Sequence, residues 1–292
     1  MNLTDTHCHL DLENFDLDRL AVLERAAQAG VEHILIPGLS LPSSRSAVKL
    51  AESHPMLYAA IGVHPTEAAT WNESSINELS ALASGAWGAS GSSGVSDTSG
   101  SSRVVAIGEI GLDYYWNAAT RKLQIKVLRL QLDLAARTGL PVILHMREAR
   151  DALNGQCAVD LLQILEEWIA GLRLAKNPLA ERPGVLHSFS GSLETARCAL
   201  ELGFYIGVTG PVTFGNAHAR QEILSALPLD YILLETDAPF QTPYPYRGKR
   251  NEPSYVRLIA DKIALLHSRT VEEVAAVTSE NARKLFNWKE TA

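Results

Sequence analysis

The chain repeats one pattern eight times, a short apolar run rich in β-branched residues followed by an amphipathic helical stretch. The apolar runs cover residues 2–6, 33–36, 57–61, 104–107, 141–144, 184–186, 204–208 and 231–234. Strands that alternate with helices form parallel sheets, and eight such units close a TIM, or (β/α)8, barrel. The sequence therefore predicts an α/β fold of the TIM-barrel class. An open, doubly wound sheet is the competing architecture.

The helical stretches carry apolar residues three or four positions apart, which is typical of a helix with one buried face. In the first stretch Leu17, Leu20, Leu23 and Ala27 would form that face, and Gly30 would end the helix. A further helical stretch, over about residues 271–285, follows the last unit. We expect it to pack outside the barrel as an additional C-terminal helix.

One segment interrupts the repeat. Residues 84–102 are rich in Gly and Ser and contain few large apolar side chains, a composition typical of a flexible coil. Because the strand–helix pattern continues on both sides, we interpret residues 1–292 as a single domain with a flexible insertion at 84–102. In a barrel, a loop that leads from a helix to a strand opens on the face opposite the active site.

Composition and charge restrict the possible functions. The 292 residues are 46% hydrophobic and carry a formal net charge of -7, so the protein has no general attraction for nucleic acid. No apolar run approaches the ~20 residues that cross a bilayer, and no secretory signal is visible. The three cysteines have no paired spacing. We therefore expect a cytoplasmic protein with no membrane association, and the sequence indicates no obligate protein partner.

Histidines and carboxylates follow the predicted strands. Seven such residues occupy these positions: His7, His9, His64, Glu109, His145, His187 and Asp237. The carboxyl ends of the strands meet at one mouth of a barrel, where active sites lie. A lone histidine at a strand end is usually structural, and buried carboxylates are costly unless they are paired or bind a metal. Convergence of all seven on one face therefore indicates a metal centre.

Mixed imidazole and carboxylate ligands suit Mg²⁺, Mn²⁺ or Zn²⁺. The ligands predicted are more than one tetrahedral ion uses, so two cations that share a bridging carboxylate fit better. Glu109 is the natural bridge. Cys8 lies between His7 and His9 but would point to the opposite face of an extended strand, and it is interpreted as a packing residue. Glu235 is either a partner of a metal ligand or a residue of the barrel interior.

The motifs around these residues resemble those of the TatD family of metal-dependent deoxyribonucleases. The matching strings, in family order, are Asp5-Thr6-His7-Cys8-His9-Leu10, Gly62-Val63-His64-Pro65, Gly108-Glu109-Ile110-Gly111-Leu112-Asp113-Tyr114, Leu144-His145-Met146-Arg147, His187-Ser188-Phe189-Ser190-Gly191, Glu235-Thr236-Asp237-Ala238-Pro239 and Arg250-Asn251-Glu252-Pro253. They extend from residue 5 to residue 253, so the resemblance covers nearly the whole chain. The insertion at 84–102 is not part of the family pattern.

The resemblance implies specific roles for the matching residues. His7, His9, Glu109 and Asp237 would hold one ion, and Glu109, His145 and His187 the second. His64 and Arg147 would face the substrate phosphate. Family members are described as magnesium- or manganese-dependent nucleases, some of which trim DNA from its 3′ end.

Three functions are compatible with such a centre. In the first, the chain hydrolyses phosphodiester bonds of DNA, two cations activate a water as nucleophile, and Asp237 accepts its proton. Arg147 would then neutralise a phosphate oxygen; the alternative for this residue is a salt bridge to Glu148 or Asp151 at the start of the following helix. The second function is hydrolysis of a carboxylic ester or amide, including an aminoacyl-tRNA ester. The third is a non-catalytic, metal-stabilised scaffold.

Aromatic residues in two predicted loops have two explanations. Tyr114, Tyr115 and Trp116 follow Glu109, and Tyr244 and Tyr246 follow Asp237. They would either stack against nucleic-acid bases or pack within their own loops.

Overall fold

Eight parallel strands follow one another around a barrel in sequence order. The computed structural model describes residues 1–85, 103–116 and 118–288. The strands are β1 (Leu3–Asp5), β2 (Val31–Pro37), β3 (Leu57–Ile61), β4 (Val104–Asp113), β5 (Val142–Arg147), β6 (Gly184–Leu186), β7 (Tyr205–Val208) and β8 (Ile232–Leu234). Thr6 N donates to Leu234 O at 3.0 Å, and Cys8 forms a parallel bridge with Ala238. These contacts join β1 to β8 and nearly close the barrel, which confirms the predicted fold class.

A helix follows each strand and covers the outside of the barrel. These helices are α1 (Arg19–Gln28), α2 (Leu41–Ser53), α3 (Ser75–Ala83), α4 (Arg121–Thr138), α5 (Gln156–Leu174), α6 (Leu193–Glu201), α7 (His218–Ser225) and α8 (Val256–His267). The strands of such a fold are buried on both faces and are apolar throughout; all residues of β3 and β4 are buried. Side-chain caps start several of the helices, among them Ser40 for α2 and Thr120 for α4.

The predicted C-terminal helix is present as α9 (Val271–Phe286). Thr270 and Glu273 form a capping box at its start. Asn281 Nδ2 donates to Leu229 O at 3.0 Å and to Ile232 O at 2.9 Å. These bonds fix α9 against the amino-terminal end of β8, opposite the end that carries the predicted site.

Two local predictions differ from the structure. The predicted buried face of α1 is wrong except at Leu23: Leu17, Leu20 and Ala27 are exposed, and Leu23 is buried together with Val22 and Ala26. The helix begins only at Arg19, so Leu17 lies in the preceding turn and the apolar stripe has another phase. The strand β4 is also longer than the predicted 104–107 and continues to Asp113, with a register shift between Ile107 and Ile110.

The insertion at 84–102 lies almost wholly outside the described residues, which omit 86–102. Its flanks are the end of α3 at Ala83 and the start of β4 at Val104. Val104, the first residue of β4, lies at the amino-terminal ends of the strands, opposite the predicted site. Among the described residues, no helix combines the length and the apolarity needed to cross a membrane. The three cysteines are free.

Candidate metal centre

All seven strand-end residues come together at the carboxyl-terminal mouth of the barrel. His7 and His9 follow β1, His64 follows β3, Glu109 lies within β4, His145 lies within β5, His187 follows β6 and Asp237 follows β8. Six of the side chains are buried and His145 is half-buried. Three groups with metal-ligand spacing exist among the described residues: His7–His9–Glu109, His64–Glu109–His145 and His7–His187–Glu235.

The carboxylate of Glu109 lies at the middle of this cluster, and its two oxygens face different rings. Oε2 lies 3.3 Å from His7 Nε2 and 3.9 Å from His9 Nε2. Oε1 lies 2.8 Å from His145 Nδ1, 3.4 Å from His64 Nε2 and 3.5 Å from His187 Nε2. Burial raises the pKa of Glu109, but the surrounding imidazoles outweigh burial and hold that pKa well below its usual value. One carboxylate therefore contacts two separate sets of nitrogen donors.

Asp237 completes the set around His7 and His9. Its Oδ1 lies 3.4 Å from His9 Nε2 and 3.8 Å from His7 Nε2. The two Nε2 atoms lie only 3.2 Å apart. The opposite nitrogens, Nδ1 of His7 and of His9, are buried and have no hydrogen-bond partner among the described residues. The polar contacts of both rings are therefore concentrated on the side that faces the two carboxylates.

This donor set fits a divalent cation. Imidazole nitrogens and carboxylate oxygens bind Zn²⁺, Mn²⁺ and, with water, Mg²⁺. Buried carboxylates require a compensating charge, and two ring nitrogens at 3.2 Å need a proton or a cation between them. The arrangement of His7, His9, Glu109 and Asp237 satisfies both conditions around one point.

His187 lies beneath the cluster. Its ring stacks on His7 with 3.6 Å between centroids, and its Nδ1 lies 3.3 Å from Glu235 Oε2. Burial disfavours the charged ring, but Glu109 and Glu235 outweigh burial and raise the pKa of His187 to about 10. Ser188 N also donates to Glu235 Oε2, at 2.8 Å. Of the two alternatives for Glu235, the structure favours the partner of a predicted ligand.

A glycine on the neighbouring strand leaves room for the Glu235 carboxylate. A Cβ at Gly207 in β7 would collide with both carboxylate oxygens of Glu235. Cys8 is buried, and its Sγ contacts Ala238 O at 3.8 Å. It lies outside the three groups with ligand spacing among the described residues, as expected for a packing residue.

Asp113 is a member of the site that the strand-end pattern did not single out. It ends β4, and its Oδ2 lies 2.9 Å from His145 Nε2, while Glu109 Oε1 lies 2.8 Å from His145 Nδ1. A carboxylate on one ring nitrogen fixes the tautomer, so that the other nitrogen is left to bind a metal. The sequence feature that could have identified Asp113 is a carboxylate four residues after Glu109. It lies at the site because β4 continues to Asp113.

Asp5 is a second buried carboxylate outside the predicted set. It accepts hydrogen bonds from Thr236 N at 2.8 Å, Thr236 Oγ1 at 2.5 Å and His7 N at 3.3 Å. Burial raises the pKa of Asp5 to about 8, although these hydrogen bonds lower it. The side chain ties the end of β1, which carries His7, to the residues that follow β8.

His64 lies at the edge of the cluster with a defined tautomer. Its Nδ1 accepts a hydrogen bond from Thr66 N at 3.2 Å. A neutral imidazole that accepts at Nδ1 carries its proton on Nε2, and Nε2 faces Glu109 Oε1 at 3.4 Å. We assign this tautomer from the hydrogen bonds. In this tautomer Nε2 of His64 is a hydrogen-bond donor that faces Glu109 Oε1.

Arg147 ends β5 at the rim of the mouth. Its Nε donates to Asp151 Oδ1 at 2.8 Å, and its guanidinium carbon lies 3.9 Å from the centroid of the Tyr115 ring. Of the two predicted explanations for Arg147, the salt bridge to Asp151 is present. Because Nε is engaged, the two Nη groups are the donors that an anion at the mouth would meet.

The chain is similar to known proteins in both sequence and structure. The family model described as "TatD related DNase" matches residues 4–287. A metal-dependent hydrolase of Bacillus subtilis, YabD, is 40% identical over 284 residues, which are 97% of this chain and 98% of that protein. The "3'-5' ssDNA/RNA exonuclease TatD" of Salmonella typhimurium is 33% identical over 97% of this chain and 98% of its own length. The crystal structure of YjjV, a TatD homologue of Escherichia coli, superposes with a TM-score of 0.82, at 33% identity and 98% coverage of both chains.

Proposed function

The chain belongs to the TatD-related family of metal-dependent hydrolases, and on that premise we propose that it hydrolyses phosphodiester bonds of single-stranded nucleic acid, removing nucleotides from the 3′ end of DNA. The observation that carries this proposal is the position of Glu109, whose two oxygens face two different sets of ring nitrogens. A carboxylate in that position is suited to bridge two cations.

The residues that would hold the ions follow from these contacts. His7, His9, Glu109 and Asp237 would hold one ion, and Glu109, His145 and His187 would hold the second; Glu109 contacts His7 through Oε2 and His145 and His187 through Oε1. Mg²⁺ or Mn²⁺ would serve in function, and Zn²⁺ also accepts this donor set. Divalent cations held here supply positive charge that acidifies water and neutralises a phosphate.

Asp237 is the proposed general base. Its side chain is 12% exposed, more than that of any of His7, His9 or Glu109, so it borders the open part of the mouth. A carboxylate at that point accepts the proton that the attacking water loses. Glu109 would serve catalysis by fixing the distance between the two ligand sets.

His64 and Arg147 would bind the substrate. His64 would act as a donor through Nε2–H, because its Nδ1 accepts from Thr66 N. Arg147 is the last residue of β5, two positions after His145, and its guanidinium lies against Tyr115. Both groups are donors, and together they suit the anionic oxygens of a phosphodiester better than the neutral carbonyl of a carboxylic ester.

The test is a turnover assay of the metal-loaded protein on a 5′-labelled single-stranded DNA, with p-nitrophenyl acetate as the carboxylic ester. We expect a ladder of products that shorten from the 3′ end in Mg²⁺ or Mn²⁺, no products in EDTA, and slow or absent ester hydrolysis. Asp237→Asn provides the inactive control. Ester hydrolysis without DNA cleavage would contradict the proposal, and so would DNA cleavage that persists in the chelator.

A further inference from the structure

The loop after β4 carries two aromatic rings at the mouth of the barrel. Trp116 is 54% exposed and Tyr115 is 37% exposed. Their rings meet edge to face, with 4.8 Å between centroids and 77° between planes. Packing within the protein explains only part of this arrangement, because more than half of the surface of Trp116 faces solvent.

The backbone of this loop is tied directly to the metal centre. Asp113 Oδ1 accepts hydrogen bonds from Tyr115 N and Trp116 N, both at 2.9 Å. The other oxygen of the same carboxylate lies 2.9 Å from His145 Nε2. A single carboxylate group therefore separates the loop from a predicted metal ligand, and the position of the rings relative to the centre is fixed by short hydrogen bonds.

Tyr115 and Trp116 differ in how much of each ring is free to contact a ligand. The guanidinium of Arg147 lies against Tyr115, 3.9 Å from its centroid, but 5.8 Å from the centroid of Trp116. Tyr115 is thus held between Arg147 and Trp116. Trp116 is left as the more exposed ring, with a cation beside it.

We propose that Trp116 is a stacking platform for one base of a single-stranded polynucleotide whose phosphate lies at the metal centre. The proposal rests on the proposed phosphodiesterase function and identifies the residue that would contact a base of the substrate. Aromatic rings beside a cationic groove bind single strands without reading their sequence, because every base presents a π-face. Here Trp116 would supply the ring, and Arg147 the positive charge for the adjacent phosphate.

A second exposed ring lies on the other side of the cluster. Phe240, in the loop after β8, is 53% exposed, and its ring centroid lies 6.0 Å from that of His9. No cation–π contact to Phe240 is present among the described residues. The combination of ring and cation therefore favours the Trp116 side as the place where a base is held.

Stacking of a base on Trp116 can be measured separately from metal-dependent cleavage. If Trp116 stacks against a base, the protein must bind an ordinary strand more tightly than an abasic strand of equal length and charge. The ratio of the two dissociation constants measures this base preference, because contacts with phosphate are the same for both strands.

The experiment measures binding of fluorescent single-stranded DNA by anisotropy, with Ca²⁺ present and the absence of cleavage checked on the same samples. One strand carries bases and the other is abasic at the positions nearest its 3′ end. We expect the parent protein to prefer the base-bearing strand. Trp116→Ala should weaken binding of that strand by between about 5-fold and 150-fold, the range for losing one stacked base, and so bring the ratio of dissociation constants close to one.

Two further variants separate stacking from a structural role. Trp116→Phe keeps a π-face and should retain most of the base preference, whereas a loop that merely needs packing would not discriminate between strands. Tyr231→Ala removes a ring of 36% exposure beside β8 on the opposite face, where Tyr231 contacts Tyr205, and should leave the ratio unchanged.

The outcomes distinguish this inference from the proposed function. A parent protein that binds both strands equally, or a Trp116→Ala variant that keeps the base preference, would overturn the platform even if DNA is hydrolysed. A base preference that depends on Trp116, together with failure to cleave any phosphodiester in Mn²⁺ or Mg²⁺, would support the platform and overturn the proposed function.

Discussion

Replacing Asp113 with Asn tests how the centre holds its ligands. Asp113 accepts from Tyr115 N and Trp116 N through one oxygen and contacts His145 Nε2 through the other. The amide is the same shape, and its oxygen can keep the two backbone bonds. Its NH2 group would then face His145 Nε2 and favour the tautomer that has the proton on Nδ1, the nitrogen 2.8 Å from Glu109.

The expected loss of metal affinity follows from the hydrogen bond between Asp113 and His145. A hydrogen bond to a charged group contributes about 1.5–3 kcal/mol, which corresponds to roughly 10-fold to 150-fold in an equilibrium constant. Loss of partners that orient a ligating histidine commonly costs about 10–100-fold in metal affinity or activity. We therefore expect Asp113→Asn to weaken binding of the ion held by His145 by about 10–100-fold, while the ion near His7 and His9 still binds.

The assay is isothermal titration of the metal-free protein with Mn²⁺, together with turnover on single-stranded DNA across the same concentrations. Asp261→Asn is the control, because Asp261 forms an exposed pair with Arg257 and such pairs contribute about 0–1 kcal/mol. Unchanged affinity at both metal positions in Asp113→Asn would refute the role of this carboxylate in setting the tautomer of His145.

Other predictions address the base, the insertion and the surface. Asp237→Asn should lower turnover by at least ~10²-fold at saturating metal, whereas His64→Ala should mainly raise KM; restoration of the Asn variant by added metal would make Asp237 a ligand only. Deletion of residues 86–100 should leave turnover within a few-fold, since β4, which follows this segment, begins at the face opposite the site; a large loss in a folded variant would show that the segment contributes to the site. Hydrogen bonds from Arg250 lower the pKa of Asp18 to about 2, so the small stabilisation by Asp18, less than about 1 kcal/mol, should be present above pH 4 and disappear as the pH falls toward 2. A pH-independent effect of Asp18→Asn in thermal unfolding would rule out this linkage.

The positions of the strands and of the seven strand-end residues could be predicted from two simple features of the sequence and the fold. Apolar runs of a few residues mark strands that are buried on both faces, and parallel strands put their carboxyl ends on one face. His7 and Glu109, 102 positions apart in the sequence, were expected in one site for this reason alone, and their side chains lie 3.3 Å apart.

Other features depend on information that periodicity does not contain. The stripe through Leu17 and Leu20 has helical spacing, but the helix begins after Leu17, and only the tertiary packing decides which face is buried. Asp113 could not be assigned because the apolar run predicts that β4 ends at residue 107, before the register shift between Ile107 and Ile110 after which the strand continues to Asp113. The tautomer of His64 depends on Thr66, a contact that exists only once the turn after β3 is formed.

The central claim is that Glu109 bridges two divalent cations, and metal stoichiometry tests it most directly. Native mass spectrometry and Mn²⁺ titration would count the ions in the parent protein and in Glu109→Ala, with circular dichroism to check that the barrel remains folded. The account predicts two ions per parent chain and at most one ion in the folded variant, together with loss of nuclease turnover. Two ions still bound in folded Glu109→Ala would contradict it.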